Sequence, residues 1–185
     1  MRRAFLIAGL MTAFALAVLA AGAAGANFTG TWALDKAKSQ GLDPRMQNAE
    51  SVTWTITQDD KTLSIDTKVT GGQPPAGGSG GGGGGGMGGG RGMGGPRTYT
   101  LDGKEVTADA GGQMGGSNTT KANWSSDRAT LELSSVRTGN RDGQDFKFTT
   151  TDKLSLSGDG KVLTSIRHSE NPRGTMDSTL VFNKQ

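Results

Sequence analysis

Ser51-Val52-Thr53-Trp54-Thr55-Ile56-Thr57-Gln58 is the stretch on which the fold turns. Val52, Trp54 and Ile56 alternate with Thr53, Thr55 and Thr57. A period of two belongs to an extended chain whose successive side chains face opposite sides of a sheet. One face is therefore dry and the other wet, and β-branched threonine suits the wet face because it favours extended backbone. The pattern recurs along the chain. Leu63, Ile65 and Val69 keep it, Leu131 and Leu133 flank Glu132, and Phe146 and Phe148 flank Lys147. Leu154 and Leu156 alternate with Lys153 and Ser155, and Met176, Leu180 and Phe182 share a parity near the end.

Between these runs lies turn chemistry. Asp102-Gly103, Asp142-Gly143 and Asp159-Gly160 each supply the positive φ that a tight hairpin turn requires. Asp59-Asp60 and Ser126-Asp127 mark further turns. Short links mean antiparallel neighbours, so the expectation is an all-β chain of about ten strands in an up-and-down meander. Asp43 followed by Pro44 is a helix start, which places a short helix over 44–49 between the first two strands. A meander must manage its two edges, and closing into a barrel removes them. An open sheet or a sandwich is the alternative, and alternation alone does not choose.

The first 26 residues differ from the rest. Arg2 and Arg3 precede an uncharged apolar run that ends in Ala24-Gly25-Ala26, the small residues of a signal-peptidase site. The reading is a secretory signal peptide over 1–26 with cleavage before Asn27, hence export to the periplasm or outside the cell. The run also approaches the ~20 residues that span a bilayer, so an uncleaved anchor is the rival. The cleavage site favours removal and no stable membrane insertion afterwards. Arg2-Arg3-Ala4-Phe5-Leu6 also has the core of a twin-arginine signal, against which ordinary export is preferred. No cysteine occurs, which excludes lipid attachment at a cysteine and any disulfide staple. Without Arg2 and Arg3 there remain 18 Lys+Arg against 17 Asp+Glu, a formal charge of +1. That balance gives no reason to bind nucleic acid.

Residues 71–95 contain 17 glycines in 25 positions, too little apolar surface to offset ordering entropy, and are expected to form a disordered Gly-rich loop. Lengthening a connection from about five to about twenty-five residues costs roughly 1.4 kcal/mol. A single domain over 27–185 tolerates that. Arg91 and Arg97 give the tract too little charge for nucleic acid, and Met87 and Met93 on a disordered chain make a poor copper site.

The mature start, Phe28-Thr29-Gly30-Thr31-Trp32-Ala33-Leu34, resembles the opening of the calycin barrels, the lipocalins and fatty-acid-binding proteins. The resemblance implies a closed lipocalin-like barrel in which Gly30 and Trp32 form a structural plug at one end. The helix near 44–49 is similar to the lid of the fatty-acid-binding branch. That branch commonly carries a pattern like Arg-x-Tyr on its last strand to grip a ligand carboxylate, whereas Leu180 and Phe182 stand at the similar positions here. An apolar pair makes no charge-assisted hydrogen bond, which implies a neutral apolar ligand or an interior filled by side chains.

The tryptophans Trp32, Trp54 and Trp124 are first of all core residues. Read as a site, Trp54, Ile65, Trp124, Leu133 and Phe182 line a cavity whose mouth the 44–49 segment covers. His168, the only histidine, has no cysteine or second histidine for a metal and no serine with an evident base. It reads as a strand residue near a turn. Asn140-Arg141-Asp142-Gly143-Gln144-Asp145 starts like a calcium loop but lacks the closing glutamate, and a hairpin turn explains it. No catalytic residue, metal or cofactor is expected. The leading expectation is an exported binding barrel for a small neutral apolar ligand. The alternative is a cell-envelope interaction protein with a filled barrel and an unidentified partner protein.

Overall fold

The computed structural model describes residues 25–71, 96–109, 116–141 and 143–185. The leader up to residue 24 and the glycine tract from residue 72 lie outside the described residues, as does Asp142 of the Asp142-Gly143 turn. In chain order the elements are β1 (Gly30–Leu34), α1 (Pro44–Asn48), β2 (Ser51–Gln58), β3 (Thr62–Thr70), β4 (Arg97–Thr100) and β5 (Val106–Asp109). β6 (Ser117–Trp124), β7 (Thr130–Arg141), β8 (Gln144–Leu156), β9 (Val162–Asn171) and β10 (Gly174–Lys184) follow.

All ten strands belong to one sheet in the order β4-β3-β2-β1-β10-β9-β8-β7-β6-β5. Each ladder is antiparallel. The first strand lies between the second and the last, so the meander curls into a nearly closed barrel whose edges are the consecutive strands β4 and β5. Those two share no ladder. The seam is bridged instead by the Thr120 hydroxyl on β6, which donates to the Thr98 carbonyl on β4 at 3.2 Å. Asp102-Gly103 therefore turns the chain, with Gly103 at φ +77°, but closes no hairpin; its link carries the chain across the seam. Gly143 and Gly160, at φ +80° and +67°, do sit in hairpins.

The alternation sets which residues form the core. Ladder partners share a face, and Trp54 opposes Trp32, Leu133 opposes Asp152, and Phe182 opposes Leu163. At one end of the barrel the inward side chains are wholly buried, among them Phe28, Trp32, Leu63, Leu131, Leu154 and Leu163. Trp32 occupies this closed end, its indole N–H donating to the Phe28 carbonyl at 2.9 Å and its ring 5.2 Å from Lys184 Nζ. Gly30 reaches φ +151° beside it, and a Cβ there would stand 3.1 Å from Lys184 Cε and 3.5 Å from Trp32 Nε1.

At the opposite end α1 covers the entry of β2. The Asp43 carboxylate accepts from the backbone N–H of Arg45 at 2.8 Å and of Met46 at 3.0 Å, the N-cap geometry that Asp-Pro favours. The helix ends at Asn48, one residue earlier than the sequence suggests, because Ala49 is already extended. Met46 and Ala49 pack into the core, and Lys36 Nζ donates to the Ala49 carbonyl.

Truncating the closed-end tryptophan, Trp32→Ala, should lower stability by about 3–5 kcal/mol. Thr55→Ala, on the exposed face of the neighbouring strand, should change it by less than about 0.5 kcal/mol. Urea unfolding measures both, and equal losses would remove the inward-outward assignment.

Candidate functional site

The interior changes character along the barrel axis within single strands. On β7, Leu131 and Leu133 are buried, whereas Ser135 and Arg137, the next inward positions, are half-buried. On β8 the inward series runs Leu154, Asp152, Thr150, and on β9 it runs Leu163, Ser165, Arg167, Ser169. The last member of each is half-buried. Along these strands a wholly buried, apolar base gives way to half-buried, mostly polar inward side chains.

A charged layer separates the two halves. Asp152 on β8 and Arg167 on β9 are ladder partners, 2% and 6% exposed. Arg167 Nε donates to Asp152 Oδ1 at 2.7 Å and Nη2 to Oδ2 at 3.2 Å, while Ser165 Oγ donates to Oδ1 at 2.8 Å. Burial alone would push the Asp152 carboxyl up. The Arg167 charge and its hydrogen bonds, then the Arg97 charge and the Ser165 hydroxyl, outweigh burial and hold the carboxyl below its usual range. Arg167 also lies over Trp54, its guanidinium carbon 5.4 Å from the ring centroid. The Trp54 and Phe182 rings meet at 4.3 Å. Trp54 Nε1 is buried and has no hydrogen-bond partner among the described residues. Tyr99 on β4 is 1% exposed, and burial pushes its phenol up from the ordinary value. Arg97, two residues before it, faces inward beside Ile65.

Four of the five residues read from the sequence as cavity-lining, Trp54, Ile65, Leu133 and Phe182, belong to the buried core cluster, which also holds the closed-end residues. Trp124 does not join them. It has the inward parity but ends its strand at the closed end, stacked 6.1 Å from Phe28 with Arg128 5.8 Å from its ring. Parity gives the side of the sheet and not the height in the barrel. The sequence reading missed Asp152 and Arg167. The signal was present: a charged residue at an apolar parity on each of two neighbouring strands, with opposite signs.

His168 faces outward. Its Nδ1 lies 2.6 Å from Asp177 Oδ1 and its Nε2 3.4 Å from Glu170 Oε1, and these hydrogen bonds raise its pKa from the ordinary value. The trio stands on the outer wall, with Asp177 83% exposed in its side chain, and not in a pocket. Asn140 and Asp145 close the β7–β8 turn, Asn140 Nδ2 donating to Asp145 Oδ1 at 2.7 Å. Among the described residues no group of three or more His, Cys, Asp and Glu side chains could hold a metal ion. Two shallow concavities, both open to solvent, lie outside the interior. One of about 490 Å³ lies at the β7–β8 tip beside Gly139 and Phe146. The other, of about 370 Å³, lies on the outer wall beside Trp124 and Glu132.

Comparison with protein-family models gives no match, and comparison with curated proteins gives none. Among solved structures the chain is similar to zebrafish ileal bile acid-binding protein, crystallised in complex with cholic acid. The identity is 12% and the TM-score 0.45, over 85% of this chain and 98% of that one. The strand order and register above define the barrel independently of this likeness.

Asp152→Asn strands the Arg167 charge and should cost about 3–5 kcal/mol, most of which Asp152→Leu combined with Arg167→Met should recover. The Asp152 carboxyl titrates lower folded than unfolded, so its stabilisation is complete above about pH 4 and is lost as pH falls through the folded value. Acidification should therefore destabilise wild type more than Asp152→Asn. Urea midpoints at pH 7 and in acid test this, and parallel losses would contradict it.

Proposed function

We propose that this chain is an exported, non-enzymatic binding barrel that takes a small, largely apolar ligand through its open end. The observation that supports this reading is the gradient inside the barrel, from a wholly buried apolar base to half-buried inward side chains at the opposite end. A pocket that is mostly apolar with a few placed polar groups is the usual form of a small-molecule site. Trp54, Ile65, Leu133 and Phe182 would form its floor, and α1, anchored by Met46 and by Lys36 to Ala49, would stand at its rim. Leu180 and Phe182 on β10 are apolar and buried, so this strand offers no grip for a charged ligand, in keeping with a neutral one. Export follows from the leader and is part of the proposal.

A second reading has its own support. Trp32, Trp54, Tyr99, Phe28 and Phe182 already occupy much of the interior, which suits a filled scaffold whose task lies in contact with an envelope partner.

Native mass spectrometry of protein purified from its own host separates the two. The binding reading predicts a one-to-one adduct that organic extraction removes and that Leu133→Trp, which fills the floor, abolishes in a folded protein. A clean apo mass with empty extracts would favour the scaffold.

A further inference from the structure

The sequence carries the same small-residue triplet twice in succession, Ala21-Gly22-Ala23 and Ala24-Gly25-Ala26. Each presents the pair of alanines, one residue apart, that a signal peptidase accepts. Cleavage after the first leaves a mature chain that starts at Ala24. Cleavage after the second, the expectation from the sequence, leaves one that starts at Asn27.

The fold uses the second triplet. Ala26 is half-buried and packs against the core. Its N–H donates to the Arg128 carbonyl between β6 and β7 at 3.0 Å, and its carbonyl accepts from Gln58 Nε2 at the end of β2 at 3.1 Å. The same Gln58 amide accepts from the Phe28 N–H through Oε1 at 3.0 Å. One side chain thus grips the backbone on both sides of the Ala26–Asn27 bond. Gly25 lies against Trp124, where a Cβ would stand 2.8 Å from Cη2 and 2.9 Å from Cζ2 of the ring, closer than real Cβ contacts come. The middle position of a peptidase site is open to any residue, so the need for glycine at 25 comes from the barrel. Gly25, Ala26 and Phe28 together tie β2 to the β6–β7 turn at the closed end, where the Phe28 carbonyl also accepts from the Trp32 indole.

A cut before Asn27 would take away the acceptor of Gln58 Nε2 and the donor to the Arg128 carbonyl, and would lift Gly25 off the Trp124 ring. Lost partners at half-buried polar groups cost stability. A peptidase must also engage the backbone it cuts, and here that backbone is free only when this corner of the fold is open. We infer that the leader is removed at the first triplet. Water adds across the Ala23–Ala24 bond in the peptidase, its hydroxyl going to the Ala23 carbonyl carbon and its proton to the Ala24 nitrogen. Gly25 and Ala26 then remain as part of the barrel. The inference rests on the export reading and moves the start of the mature chain from Asn27 to Ala24.

Intact mass and N-terminal sequencing of the protein, expressed as the full precursor in its own host and purified, test this. The expected start is Ala24. A start at Asn27 overturns the inference and leaves export standing, whereas a retained leader overturns the export reading and the inference with it. Ala23→Leu spoils the first triplet at the residue next to the cut and leaves the second intact. It should abolish the Ala24 start, and processing unchanged from wild type would overturn the assignment. Gly25→Ala alters only the middle position of the second triplet. It should leave the Ala24 start in place and lower the melting temperature of the mature protein by about 2–4 °C, the shift that one lost contact gives in a domain of this size. An unchanged melting temperature would contradict a place for Gly25 in the mature fold.

Discussion

The pairing of the first strand with the last holds the molecule together. β1 is only five residues long, yet its Leu34 opposes Phe182 on β10 while its Trp32 opposes Trp54 on β2. Without that short strand the chain is two separate meanders, β2 to β4 and β5 to β10, each with a long unpaired edge and half a core. With it, the apolar faces of both meanders look at one another across a shared interior. Trp32 fills the closed end, and Gly30 gives it room in a conformation that L side chains rarely adopt.

The interior built in this way is not uniform. Its base is an ordinary hydrophobic core, and hydrophobic burial there is what stabilises a chain that has no disulfide. Asp152, Arg167 and Ser165 interrupt it. A buried ion pair of this kind contributes little net stability compared with apolar side chains of the same size, because both charges lose their water. The pair lies at the level where the inward side chains pass from wholly buried to half-buried.

The sheet was largely legible in the sequence, because period-two alternation and Asp-Gly turns are local signals. Trp54, Ile56, Leu133 and Phe182 all face inward as their parity requires, and Asp43-Pro44 starts a helix where such a pair should. What depended on three-dimensional closure was not legible. The seam between β4 and β5 arises where the ring meets itself, and the turn at Gly103 looks no different from one that closes a hairpin. Trp124 has the parity of Ala122 and Thr120 but sits at the bottom, since height follows from register with distant strands. The Asp152–Arg167 pair was hidden for a related reason. Attention to the apolar members of each run passes over the charged residue that shares their parity.

The shared interior exists only if β1 lies between β2 and β10, and nuclear Overhauser contacts across the two ladders measure that placement directly. The barrel predicts contacts from Leu34 to Phe182 and from Trp32 to both Trp54 and Lys184 in the same molecule. Contacts from β1 to β2 alone, with β10 showing none to β1, would mean an open sheet and would contradict the closed interior on which the site depends.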